Sequence, residues 1–188
     1  VNHRWAALSA AILLTSAPTL PAETLRIGDP APDVQSATLD GKPFSLAQEV
    51  REHNAVVVMF LSTVCPYSNL HSDRIRELSH ELTPRGVLFV GVNSNRTETP
   101  EEVVSHARAH GHVFPFIKDR GNKIANLLGA QLTPEVFVFD RQGRLRYHGR
   151  IESKYRSPDL RNALEAILAD RPVRVAEAKA FGCAITRE

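Results

Sequence analysis

The sequence predicts an α/β protein on a mixed central sheet, and three observations carry that expectation. Residues 55–60 (AVVVMF) and 87–92 (VLFVGV) are continuous apolar runs rich in β-branched residues, as in strands covered on both faces. Between them lies a stretch with apolar residues at near-helical spacing, giving β-α-β with parallel strands. Residues 135–140 and 145–149, joined through Gln142-Gly143, read as a hairpin that adds antiparallel strands.

Taken in order, Gly28-Asp29-Pro30-Ala31-Pro32 is an extended entry restrained by proline, and residues 37–44 read as two short strands around Asp40-Gly41. The first buried strand follows. A helix is expected from 66 to about 83, with Pro66 at its first position and Leu70, Ile75, Leu78 and Leu82 as its buried stripe. Pro84-Arg85-Gly86 ends it before the second strand. Thr99 caps a further helix that starts at Pro100 and runs to about residue 110. A short piece around Phe114-Pro115-Phe116-Ile117, a helical turn over 122–128 ended by Gly129, the hairpin and a helix over 158–169 complete the order. Residues 171–188 are read as a tail.

Residues 1–22 have the pattern of an export signal: a basic start at Arg4, an apolar stretch from Trp5 to Leu14, and a small-residue exit at Ala22. That stretch is too short to span a bilayer. The expectation is one domain over 23–170 followed by the tail over 171–188, exported to a bacterial periplasm, with no membrane span once the signal is removed. The formal charge of +2 and the lack of a basic block with interleaved aromatics exclude a nucleic-acid binder. Two cysteines cannot make a disulfide scaffold, although an oxidising compartment permits one bond.

The most chemical position is Cys65, where strand gives way to helix in Phe60-Leu61-Ser62-Thr63-Val64-Cys65-Pro66-Tyr67-Ser68. As a helix N-cap it faces unpaired amides and the positive dipole end, which favour thiolate over thiol. The bland alternative is a buried, inert cysteine. Cys183, in Phe181-Gly182-Cys183-Ala184-Ile185, is the only other thiol, and three readings stay open for it: resolving partner of Cys65, thiol for another protein, or structural residue. Gly182 gives that segment freedom to bring its sulfur against another surface. A metal site is not expected. His106 and His110 share a helix face at i, i+4, but such pairs are usually solvated. A copper site from Cys65, His148 and Cys183 stands as a non-enzymatic alternative, alongside a partner-binding module.

The order of elements, with Gly28-Asp29-Pro30-Ala31-Pro32, the Cys65 turn, Val92-Asn93-Ser94-Asn95 and Leu132-Thr133-Pro134-Glu135-Val136-Phe137-Val138-Phe139-Asp140, resembles the thioredoxin-like superfamily, in its redoxin branch. The resemblance implies a three-layer α/β/α sandwich with an N-terminal hairpin extension. It implies that Pro134 is a cis-proline facing Cys65 and that Thr133 offers its backbone to an extended substrate. Pro66, Tyr67 and Glu135 are then expected to border the substrate groove, and Ser62 and Ser68 to hydrogen-bond the sulfur. The activity implied is thiol-disulfide exchange with a protein or small-molecule disulfide, driven by an external thiol reductant and no bound cofactor. The sequence departs from the family in three ways. Ser68 stands where a second cysteine usually completes C-x-x-C, Met59 replaces the buried acid, and the peroxide-reducing relatives' proline and arginine positions hold Val58 and Pro134. Peroxidase (antioxidant) chemistry therefore ranks second.

Overall fold

The computed structural model describes residues 25–153 and 157–187. The export-signal segment, residues 1–22, lies outside the described residues.

The elements follow in order. β1 (Gln35–Ala37) and β2 (Pro43–Ser45) pair antiparallel around the Asp40-Gly41 turn and lead into α1 (Leu46–Glu52). β3 (Ala55–Phe60) is followed by α2 (Pro66–Leu70), α3 (Ser72–Leu82), β4 (Val87–Asn93) and α4 (Pro100–Ala109). β5 (Phe116–Lys118), α5 (Lys123–Leu128), β6 (Leu132–Thr133), β7 (Glu135–Asp140) and β8 (Leu145–Gly149) come next. α6 (Asp159–Leu168), β9 (Glu177–Ala178) and β10 (Cys183–Ala184) close the chain.

Six strands form the central sheet in the order β5-β4-β3-β7-β8-β9. β3, β4 and β5 are parallel, while β7 runs antiparallel to both β3 and β8. All six residues of β3 are buried, as its unbroken apolar run requires. Side chains alternate across a strand, so the run feeds two cores. Ala55, Val57 and Met59 pack with Ile75, Leu78 and Leu82 of α3 and with Leu160 and Leu164 of α6. Val56, Val58 and Phe60 pack on the other face with Leu46 and Val50 of α1 and Ile124 and Leu128 of α5. The result is the three-layer α/β/α sandwich with its N-terminal hairpin.

Three expectations need correction. The helix expected to run unbroken from 66 to 83 is split at His71 (φ −96°, ψ 0°), which shifts the helical register. Leu70 therefore points outward, 75 % exposed, while Ile75, Leu78 and Leu82 keep the core stripe. α1 was not expected from the sequence, although Ser45 followed by Gln48 is a cap signature, and the Ser45 side chain accepts from the Gln48 amide at 3.4 Å. The segment after 171, read as a tail with no regular structure assigned, carries two short strands. Its first strand, β9, extends the central sheet beside β8, and its second, β10, pairs antiparallel with β6, with Cys183 opposite Thr133 and Ala184 opposite Leu132.

Candidate active site around Cys65 and Cys183

Cys65 caps α2 with extended backbone (φ −78°, ψ 116°), and Pro66, whose missing amide no helix needs at that position, starts the first turn. The sulfur lies at the carboxyl end of β3, and the residue is 1 % exposed. The Cys65 thiol donates to the Thr133 carbonyl at 3.0 Å. The Thr133-Pro134 bond is cis, and this loop faces the turn that carries Cys65.

The strand β10 fills the rest of that face. It sets Cys183 opposite Thr133, whose carbonyl meets the Cys65 sulfur, so the two thiols lie near enough to shift each other's ionisation, and both cysteines are free. Burial works against ionising Cys65. That penalty is outweighed by hydrogen bonds to the sulfur from the Cys183 thiol, the Ser68 amide, the Thr133 side chain and the Cys183 amide, so its pKa is lowered from the ordinary thiol value. Cys183 moves the other way, up to about 11, through burial, its hydrogen bond to Cys65 and the charge that Cys65 carries. The two shifts run in opposite directions, so Cys65 is the member of the pair that ionises first. Because α2 is only five residues long, these hydrogen bonds rather than a long helix dipole carry the stabilisation.

Ser62 and Ser68 lie beside the sulfur in a different arrangement from the one expected. The Ser62 hydroxyl donates to Glu98 Oε1 at 2.7 Å and accepts from the Cys65 amide at 3.1 Å. Its single hydrogen is thereby directed away from the sulfur. Ser68 Oγ accepts from the Ser62 amide at 3.3 Å, and it is the Ser68 backbone that serves Cys65.

Glu98 is the residue that sequence reasoning missed. It is buried, yet its pKa is lowered: burial raises it, and hydrogen bonds from the Ser62 hydroxyl, Thr63 and Asn95 more than compensate. The Thr63 amide donates to Oε2 at 2.6 Å, Asn93 Nδ2 to Oε2 at 2.9 Å and Asn95 Nδ2 to Oε1 at 2.5 Å. This carboxylate is the hub that fixes the loop between β3 and α2. The only trace of it in the sequence is its place in the polar segment that follows Asn93-Ser94-Asn95.

Thr133, expected to offer its backbone to a substrate, is already paired with the chain's own β10. Tyr67 and Pro134 line a groove of ≈ 870 Å³ together with Leu70, Ile151 and Phe181, and the Phe181 ring meets Tyr67 edge-on at 4.8 Å. Pro66 is exposed but does not line it.

Glu135, expected in the groove, is buried elsewhere. Its Oε2 accepts from the Gln131 and Leu132 amides at 2.7 and 2.9 Å, and its Oε1 lies 2.7 Å from His148 Nε2. Glu135 thus secures the loop before Pro134. Its engagement of His148, whose ring also stacks on Phe137 at 4.3 Å, removes that imidazole from the copper arrangement with the two cysteines. Among the described residues no three His, Cys, Asp or Glu side chains are grouped to hold a metal ion. The His106 and His110 rings lie 4.3 Å apart rather than separately solvated, and His106 Nε2 is 2.7 Å from Asn69 Oδ1.

A buried thiol at a strand-to-helix turn, met by a cis-proline loop within this sandwich, defines a thioredoxin-fold protein. Residues 26–167 match the Redoxin family, and the chain belongs to it. It is 25% identical over 123 residues to the thiol-disulfide oxidoreductase ResA of Bacillus thuringiensis, covering 65% of this chain and 69% of that one. A hypothetical protein from Sinorhizobium meliloti has a similar structure, with a TM-score of 0.80 and 29% identity over 88% of this chain and 97% of that one. The thiol:disulfide interchange protein of the thioredoxin family from Chlorobium tepidum shares the fold, at a TM-score of 0.63 and 24% identity over 78% and 99% of the two chains.

Proposed function

We propose that this protein is a thiol-disulfide oxidoreductase in which Cys65 is the attacking thiol and Cys183 the resolving one. The observation that carries the reading is the register that sets Cys183 opposite Thr133, whose carbonyl meets the Cys65 sulfur; the opposite pKa shifts of the two thiols agree with it.

The Cys65 thiolate attacks one sulfur of a substrate disulfide. The substrate S–S bond breaks, a Cys65-substrate disulfide forms, and the first substrate sulfur leaves as thiolate. Capture of Cys65 removes the negative charge that held the proton on Cys183, so Cys183 becomes more acidic at the moment it is needed. It gives its proton to the departing thiolate and attacks Cys65. The second substrate thiolate leaves and the Cys65-Cys183 disulfide remains, with two electrons passed to the substrate. An external dithiol returns the protein to its starting state, and the same steps reversed oxidise a partner. The relative potentials of the partners set the direction.

Peroxide reduction is disfavoured by the commitment of the Ser62 hydrogen to Glu98, which leaves that hydroxyl no donor for a peroxide oxygen. Export is part of the proposal and rests on the signal pattern in residues 1–22 and on a compartment in which disulfides persist. No helix among the described residues is long and apolar enough to cross a membrane. The test is stopped-flow reaction of the reduced protein with a disulfide and, separately, with hydrogen peroxide. Consumption of the disulfide by Cys65 well ahead of peroxide is expected, and fast sulfenic acid formation with no disulfide reaction would overturn the proposal.

A further inference from the structure

The segment around Cys183 has the form of a bound substrate. β10 adds as a short antiparallel strand to the residue before Pro134, and its cysteine meets Cys65. Its neighbours fit the surface in ways that define a pattern. A Cβ at Gly182 would stand 2.0 Å from the Thr133 carbonyl oxygen, so only glycine fits immediately before the cysteine. Two residues before it, Phe181 packs on Tyr67. Two residues after it, Ile185 is buried in the core face shared with Val58 and Phe60, and its amide donates to the Gln131 carbonyl at 2.9 Å. Beyond it, Thr186 donates to Asn95 and Arg187 to Ala130 and Asn126.

We infer that the edge of β6 is a strand-binding site that reads aromatic-Gly-Cys-x-aliphatic, occupied in the resting protein by the chain's own tail. The substrate class is accordingly an extended polypeptide carrying its disulfide cysteine behind a glycine, and it competes with β10 for Thr133. This rests on the assignment of Cys65 as the attacking thiol. It adds a selection rule: a partner strand with a side chain before its cysteine meets the Thr133 carbonyl.

The test uses the full chain with Cys183→Ser, which prevents resolution, with and without Ile185→Asp, which takes away the apolar anchor of the tail. The probes are peptides of residues 180–186 whose cysteine carries a thionitrobenzoate group. Cys65 attacks the peptide sulfur, forms the peptide disulfide and releases the coloured thiolate. The tail-loosened chain is expected to load the native peptide faster than the tail-docked chain does, and to load a peptide with Gly182→Val at about a tenth of that rate or below. Equal rates for the two peptides, or for the two proteins, would overturn the inference. If Ile185→Asp fails to fold, judged by circular dichroism, Phe181→Ala in the Cys183→Ser chain loosens the tail instead and the same comparisons decide. Ellman's reagent needs no strand site. Failure of Cys65 to react with it would sink the thiol assignment, whereas reaction without peptide discrimination sinks the strand rule alone.

Discussion

Cys183 stands opposite Thr133 in an antiparallel pair, and this register brings its thiol to the Cys65 sulfur from a position 118 residues further along the chain. In the proposed exchange the neighbouring partner absent from C-x-x-C would be supplied by a strand rather than by the next turn of the helix. Ser68, in the place of that partner, is left to contribute its amide.

Removing the Cys183 donor should make Cys65 less acidic. In Cys183→Ala the burial of Cys65 persists while the largest stabilising hydrogen bond is lost, so its pKa rises towards the ordinary thiol value. Alkylation rate against pH, followed at Cys65 by mass spectrometry, should show a midpoint higher than in the wild type. An unchanged midpoint would mean that the thiol pair does not set the reactivity.

Glu98 should matter for stability in a pH-dependent way. Glu98→Gln replaces an acceptor of four hydrogen bonds by an amide that presents a donor to some of the same groups, and a loss of about 2–3 kcal/mol is expected from urea unfolding near neutral pH. The folded-state pKa of Glu98 is depressed, so its contribution is present above the unfolded carboxylate value and is lost as pH falls through the folded one. The gap between wild type and Glu98→Gln should therefore shrink below about pH 4. A gap that is constant with pH would contradict an ionised Glu98.

His148 supports the proline loop through Glu135. His148→Ala removes the partner of a buried carboxylate that also holds the Gln131 and Leu132 amides, and is expected to destabilise the protein by about 1–3 kcal/mol. Thermal unfolding checks the loss. Copper affinity should not fall with it, since His148 is engaged by Glu135 rather than by the cysteines.

The order of the main elements and the place of Cys65 were legible because they rest on local signals: two unbroken apolar runs, a proline at a helix start and a turn between alternating strands. The break at His71 was missed although the five-residue step from Leu70 to Ile75 spans it, because a single irregular step was read as part of one helical stripe. Glu98 and β10 were illegible for a different reason. A two-residue strand has no periodicity, and a buried carboxylate looks like any other loop acid until the amides around it are seen. Gly182 signalled freedom of the backbone, but its role turns out to be the absence of a side chain against Thr133.

The most direct test is a non-reducing peptide map after the reduced protein meets one equivalent of Ellman's reagent. The expected result is two thionitrobenzoate ions released per chain, a Cys65-Cys183 disulfide within a single chain, and arrest of Cys183→Ser after one ion with the adduct on Cys65. An adduct that stays on Cys183 while Cys65 remains free, or a map with no Cys65-Cys183 peptide, would contradict the shared site.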